Sequence, residues 1–184
     1  MSATEPAALK TARRPSRPRD KHRDKHRKEA RHPMSGPKMI EFSSLERPGS
    51  PNTALYADPG DTKSQADVPA LRFQRTPAAV FAAWQQVVAD APRTEVIHAD
   101  ATAFTHHAVQ RSRIFRFPDD IYAKAIADGS GTRLLVYSAA RYGKGDFGKN
   151  RERLEAWRTA LIGALGEDPL ASTSVSEDTS PQDR

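Results

Sequence analysis

The side chains best suited to chemistry gather late in the sequence. "RYGKGDFGKN" at 141–150 holds one carboxylate, Asp146, among the glycines Gly143, Gly145 and Gly148. These glycines spell G-x-G-x-x-G, whose backbone N–H groups cradle a pyrophosphate when strand, turn and helix belong to one βαβ unit. Asp146-Phe147-Gly148 also spells the tripeptide whose Asp holds magnesium in protein kinases. Four arginines, Arg111, Arg113, Arg141 and Arg153, complete the set. Guanidinium groups bind carboxylate or phosphate through paired N–H donors.

Both nucleotide readings fail on context. The loop follows an apolar run and precedes a helical pattern, but that helix is the last element. No strand follows to carry a ribose-binding acid, and Asp168 falls in a polar tail. A kinase needs a catalytic loop and a second lobe. A Walker loop needs Gly-Lys-Ser/Thr where Lys149-Asn150 stands. Two readings of the motif remain open. In one, Asp146 accepts backbone N–H groups at the helix start, and Asn150 caps the helix or ties the loop to the sheet. Arg153 and Arg141 then pair with Asp146 or Asp119, and Gly143 and Gly148 take φ values that other residues resist. In the other, Arg111, Arg113, Arg141 and Arg153 converge on an anion, Arg111 and Arg113 sharing one strand face by period two.

Other candidates are sparser. His106 and His107 are adjacent, so on a strand they face opposite ways and cannot share a metal; His98 sits across a hairpin from them. The chain has no cysteine and no helical His/Glu motif, so no metal site and no cofactor is expected. Ser138 lacks a nucleophile elbow and a His partner, and reads as a core serine. Trp84 and Trp157 read as packing between helices and sheet.

The elements that position these residues follow from pattern. "ALRFQR" (70–75) reads as a short strand. Thr76 offers an N-cap and Pro77 a first helical position. Val80, Phe81, Trp84, Val87 and Val88 then share one helix face, and Pro92 closes that helix. "TEVIHAD" (94–100) and "THHAVQRSR" (105–113) read as paired strands. "DIYAKAIAD" (120–128) and "TRLLVYSAAR" (132–141) flank the turn Asp128-Gly129-Ser130-Gly131. Leu134, Val136, Ser138 and Ala140 alternate onto one face of the second of these. Leu154, Trp157, Leu161 and Leu165 stripe a final helix at 149–165. The order β-α-β-β-β-β-α predicts an α+β two-layer sandwich, a mostly antiparallel sheet of about five strands with two helices on one face.

Charge divides the chain. The net charge is +6 over 184 residues. Residues 1–38 hold 12 Lys+Arg against 4 Asp+Glu, residues 39–166 hold 16 against 14, and residues 167–184 hold 1 against 5. The first segment repeats Arg-Asp-Lys-His at 19–22 and 23–26 without apolar period, so it is expected to be a disordered basic tail. It is dispensable or untranslated if synthesis starts at Met34 or Met39. Its His22, His26 and His32 can catch a metal, and residues 10–31 suit weak nonspecific nucleic-acid contact. Residues 167–184 read as a disordered acidic tail, leaving 39–166 as the single α+β domain. No apolar run approaches the ~18–20 residues that span a bilayer, and no apolar segment follows the basic start as in a secretory signal. A cytoplasmic location is the expectation.

Two stretches carry a family resemblance. "QRSRIFRFPDDI" (110–121) and "YSAARYGKGDFGKNRERLEAW" (137–157) resemble the bacterial and plant family catalogued as domain of unknown function 1499. "SPNTAL" (50–55) and "APRT" (91–94) are similar to its opening and post-helix segments, so the resemblance spans roughly 48–165. Ala139-Ala140 and Gly145 stand where that family usually carries serines. The resemblance implies a fold and a structural motif at Ser138, Gly143, Asp146, Gly148 and Asn150, and no agreed activity. The expected function is thus a small non-catalytic module that binds an anionic ligand or a protein partner through its Arg-rich surface. The alternatives are a nucleic-acid-associated protein acting through its tail, or an uncharacterised enzyme using Asp146 with Ser138 or a histidine.

Overall fold

The structure is a computed structural model, and it describes residues 39–166. Both expected tails lie outside the described residues. After a 3-10 turn at Phe42–Ser44, the elements run β1 (Thr53–Tyr56), β2 (Leu71–Phe73), α1 (Pro77–Asp90), β3 (Thr94–Asp100), β4 (Thr105–Arg111), β5 (Pro118–Asp128), β6 (Gly131–Ala140) and α2 (Lys149–Leu165). They form one six-stranded sheet in the order β1-β6-β5-β4-β3, with β2 also paired to β6. The strand pairs are all antiparallel. The α+β sandwich read from the sequence is the observed fold.

Local sequence accounts for the elements. Thr76 Oγ1 accepts from Ala79 N at 3.3 Å and Pro77 opens α1. The hairpin between β5 and β6 closes with Asp128 opposite Gly131, and Gly129 takes φ +59° in its two-residue turn. Gly131 is required for another reason: a Cβ there would overlap the Phe73 carbonyl oxygen. β4 ends at Arg111 rather than continuing to Arg113. The Ser112 N–H reaches back to the Phe117 carbonyl at 2.9 Å, closing the loop 112–117 before β5 starts at Pro118.

Both helices lie on one face of the sheet. Val80, Phe81, Trp84 and Val88 of α1 and Leu154, Trp157 and Leu161 of α2 share a core with the inward residues of the strands. The indoles of Trp84 and Trp157 meet edge to face at 5.5 Å. The helix packing expected for the tryptophans is present. A second, smaller cluster covers part of the other face, where Phe42, Leu45 and Leu55 pack on Leu135 and Tyr137. β1 supplies the sixth strand, one more than the sequence suggested. It is four residues long and three are buried, so it shows no alternation to read.

Candidate functional site

The site residues sit where the C-terminal end of β6 turns into α2. The turn passes through left-handed backbone at Gly143 (φ +86°), Phe147 (φ +53°) and Gly148 (φ +76°). Gly148 occupies the N-cap of α2 and has no side chain to cap it. Asp146 caps it instead, from two residues earlier. Its Oδ1 accepts from Gly148 N at 3.0 Å, and its Oδ2 accepts from Asn150 N at 2.7 Å. A carboxylate here also meets the positive end of the helix. The bonds expected of Asp146 are formed.

Asn150 is fully buried and uses its whole amide. Nδ2 donates to Asp146 Oδ2 at 2.6 Å and to the Asn52 carbonyl at 2.8 Å. Oδ1 accepts from the Ser138 hydroxyl and, at 2.6 Å, from Arg153 Nη1. Asn52 closes the loop from the other side, donating to the Gly143 carbonyl at 2.9 Å. Arg153 lies in the first turns of α2 and reaches down onto the sheet. Its guanidinium donates to Gln110 Oε1 at 2.5 Å, Ser138 Oγ at 2.8 Å and Asp119 Oδ2 at 2.5 Å. The side chains of Arg153 and Asp119 are 8% and 10% exposed. Burial pushes the Asp119 carboxyl up, and Arg153 offsets this only in part.

A second polar group occupies the opposite face of the sheet. Successive residues of a strand point to opposite faces, so Asp119 looks toward the helices and Asp120 away. Arg141 grips Asp120 with two bonds of 2.7 Å, from Nε to Oδ2 and Nη2 to Oδ1. His107 Nε2 lies 2.7 Å from Asp120 Oδ1, its ring buried and stacked on Tyr122 at 4.2 Å. Burial acts to raise the Asp120 carboxyl, but Arg141 and then His107 outweigh it and hold it at about 2. His106 points the other way, into the helix-side core against Phe81, with neither ring nitrogen hydrogen-bonded. Burial, then the neighbouring His107 and His98, push it down to about 4.

The arginines are therefore divided rather than convergent. Arg153 serves Asp119 on the helix face and Arg141 serves Asp120 on the other. Arg111 ends β4, and Arg113 lies beyond it in the exposed loop 112–117, so the period-two pairing expected of them does not form. The structure brings together Ser138, Gly143, Asp146, Gly148, Asn150 and Arg153. Sequence reasoning missed Asn52, Gln110 and the Asp120–His107 pair as partners, although the first three stand in the stretches quoted for the family resemblance. Ser138 donates to an amide oxygen and accepts from a guanidinium, an arrangement that activates no nucleophile. Elsewhere, a depression of about 740 Å³ opens between Ala57 and Arg72, and its Asp58 and Arg72 are paired at 2.5 Å.

A family model described as "Protein of unknown function (DUF1499)" matches residues 45–161. The chain belongs to this family. The matched span contains every residue of both polar groups, from Asn52 to Arg153. None of the curated proteins matches the chain. Among solved structures, that of Ara h 8.0201 is similar at 9% identity and TM-score 0.40, over 51% of this chain and 89% of that one. TTHA0849 from Thermus thermophilus follows at 13% identity and TM-score 0.30, over 53% and 94%. Among the described residues, no helix is long and apolar enough to cross a membrane.

Proposed function

We propose that this DUF1499 domain is a non-catalytic module that binds an anionic ligand through the arginines beside its motif corner. One observation carries the reading. The motif groups that could do chemistry are spent on one another, whereas Arg111, Arg113 and the neighbouring Arg116 have no ion pair among the described residues. Asp146, Asn150, Ser138 and Arg153 form a satisfied network, and such networks rigidify a fold. Arg141 and Arg153 belong to the framework in this reading, each anchoring one carboxylate of β5. The exposed arginines keep their donors for a ligand with paired oxygens.

Titration of the whole chain with inorganic pyrophosphate, followed by the Nε–H signals of its arginines, tests the proposal. Shifts confined to Arg111, Arg113 and Arg116, and lost in Arg111→Gln/Arg113→Gln, are expected. No shift at these residues, or equal shifts in that variant, would sink it. Turnover of a phosphate or carboxylic ester that disappears in Asp146→Asn would favour the enzyme reading instead.

A further inference from the structure

The loops beside those arginines carry large apolar side chains that the fold leaves uncovered. Ile114 is 78% exposed, Phe115 72%, Phe117 52%, Tyr142 65% and Phe147 101%. They belong to two loops, 112–117 and 141–148, which leave the same end of the sheet. There Arg111 pairs with Pro118, Asp119 pairs with Ala140, and the Arg141 N–H bonds the Pro118 carbonyl at 3.2 Å. The side chains continue this proximity. Phe115 and Phe117 stack at 5.5 Å, and Phe117 meets Tyr142 at 6.5 Å. Single exposed apolar residues are ordinary on a protein surface, but the joined rings of Phe115, Phe117 and Tyr142, with Ile114 and Phe147 exposed on the same two loops, have the character of an interaction site.

Cations are interleaved with these rings. Arg113, Ile114, Phe115, Arg116 and Phe117 are consecutive, and Lys144 stands between Tyr142 and Phe147. Arg113, Arg116 and Lys144 carry no ion pair among the described residues. The carboxylates nearest the two loops are occupied, Asp119 by Arg153, Asp120 by Arg141 and Asp146 by the start of α2, and Glu95 stands apart on the edge strand β3. The two loops hold a single acid, Asp146, and the start of α2 occupies it, so their tips are apolar and positive. A soluble anion would use the arginines and leave the rings in water. A headgroup layer takes both at once, cations at the phosphates and aromatic side chains at the acyl boundary.

We infer that loops 112–117 and 141–148 dock this domain on the surface of an anionic lipid bilayer, with Phe115, Phe117 and Phe147 entering the headgroup–acyl boundary. The inference rests on the anion-binding reading above and names the source of the anion. Docking is peripheral. Its strength falls with salt and with the loss of either the rings or the cations.

The test uses the full chain and phosphatidylcholine vesicles with and without about 30% phosphatidylglycerol, at ~0.1 M salt. Sedimentation with the anionic vesicles alone is expected. Phe115→Ser/Phe117→Ser should weaken it about tenfold or more at unchanged melting temperature, because both residues are exposed. Phe115→Trp and Phe147→Trp should each gain fluorescence that brominated acyl chains quench. Val96→Trp, on the edge strand β3, should show no such quenching. Binding without quenching at positions 115 and 147 means that the basic residues 1–38 alone hold the vesicle, which overturns the inference. Self-association abolished by Phe115→Ser/Phe117→Ser, without vesicle binding, assigns the patch to a second copy and also overturns it. Pyrophosphate binding without vesicle binding refutes the lipid surface while leaving the anion site standing; loss of both refutes the two together.

Discussion

Replacing Arg153 with methionine keeps most of the side-chain length and removes the guanidinium from the centre of the motif. Asp119 would then face the helices at 10% exposure without its cation. Removing one partner of a buried ion pair costs about 3–5 kcal/mol, because the remaining charge is uncompensated. Against a total stability of roughly 5–15 kcal/mol for a domain, that is a large fraction. The cost has a pH signature. Without Arg153 the folded-state pKa of Asp119 rises further above its unfolded value, so the folded state binds the extra proton. Stability of the variant relative to the parent therefore falls as pH rises through the raised pKa, and is partly recovered in acid. Urea melts at pH 5 and pH 8 measure this, and Arg153→Met should be the more damaged at pH 8. Asp119→Asn in the same chain removes the stranded charge and should restore part of the loss, with a coupling of about 0.5–3 kcal/mol. A loss under about 1 kcal/mol, or one equal at both pH values, would show that the buried pair is not what holds α2 to the sheet.

His106→Leu should flatten the acid limb of stability. A histidine held at about 4 in the folded state takes its proton first in the unfolded one, so the parent loses stability as pH falls from its unfolded pKa of about 6.5 toward 4. The variant should escape up to roughly 3 kcal/mol of that loss, and parallel urea-midpoint profiles for the two proteins would contradict it. At the loop, Asp146→Asn should cost about 0.5–1 kcal/mol and Asp146→Ala about 1–2, since only the second removes every acceptor from the α2 start. Gly148→Val should be worse than either, although open space surrounds its Cβ, because φ is +76° there; denaturant melts give the order, and a neutral Asp146→Ala would mean that the carboxylate is kept at a cost to stability. Gly131→Ala drives its Cβ into the Phe73 carbonyl and should cost about 1–3 kcal/mol by calorimetry, whereas an unchanged melt would refute that packing. A chain shortened to begin at Met39 should melt within a few degrees of the full chain, and salt-sensitive retention on duplex DNA should vanish with residues 1–38.

The local rules of the chain determined most of its elements. Alternation and period 3.6 are properties of short windows, so α1, α2 and the long strands β3, β5 and β6 were legible, and so was the antiparallel α+β arrangement. Thr76-Pro77 marked a helix start through its own side chain and ring. The bonds of Asp146 to the helix start were legible as well, because a carboxylate three residues before the first helical residue has backbone donors within reach whatever the rest of the fold does. The partners of the arginines were a different matter. Asp119 and Asp120 are neighbours in sequence, yet strand parity sends them to opposite faces, and only the place of β5 beside β6 and beneath α2 decides which arginine meets which. Where β4 stops was missed for a more local reason: the bond between Ser112 and Phe117 closes a loop that folds Arg113 out of the strand its period suggested. The burial of Asn150 depends on Asn52, whose carbonyl reaches it only because β1 pairs with β6. That contact joins residues 98 positions apart, and no short window of the chain contains both ends.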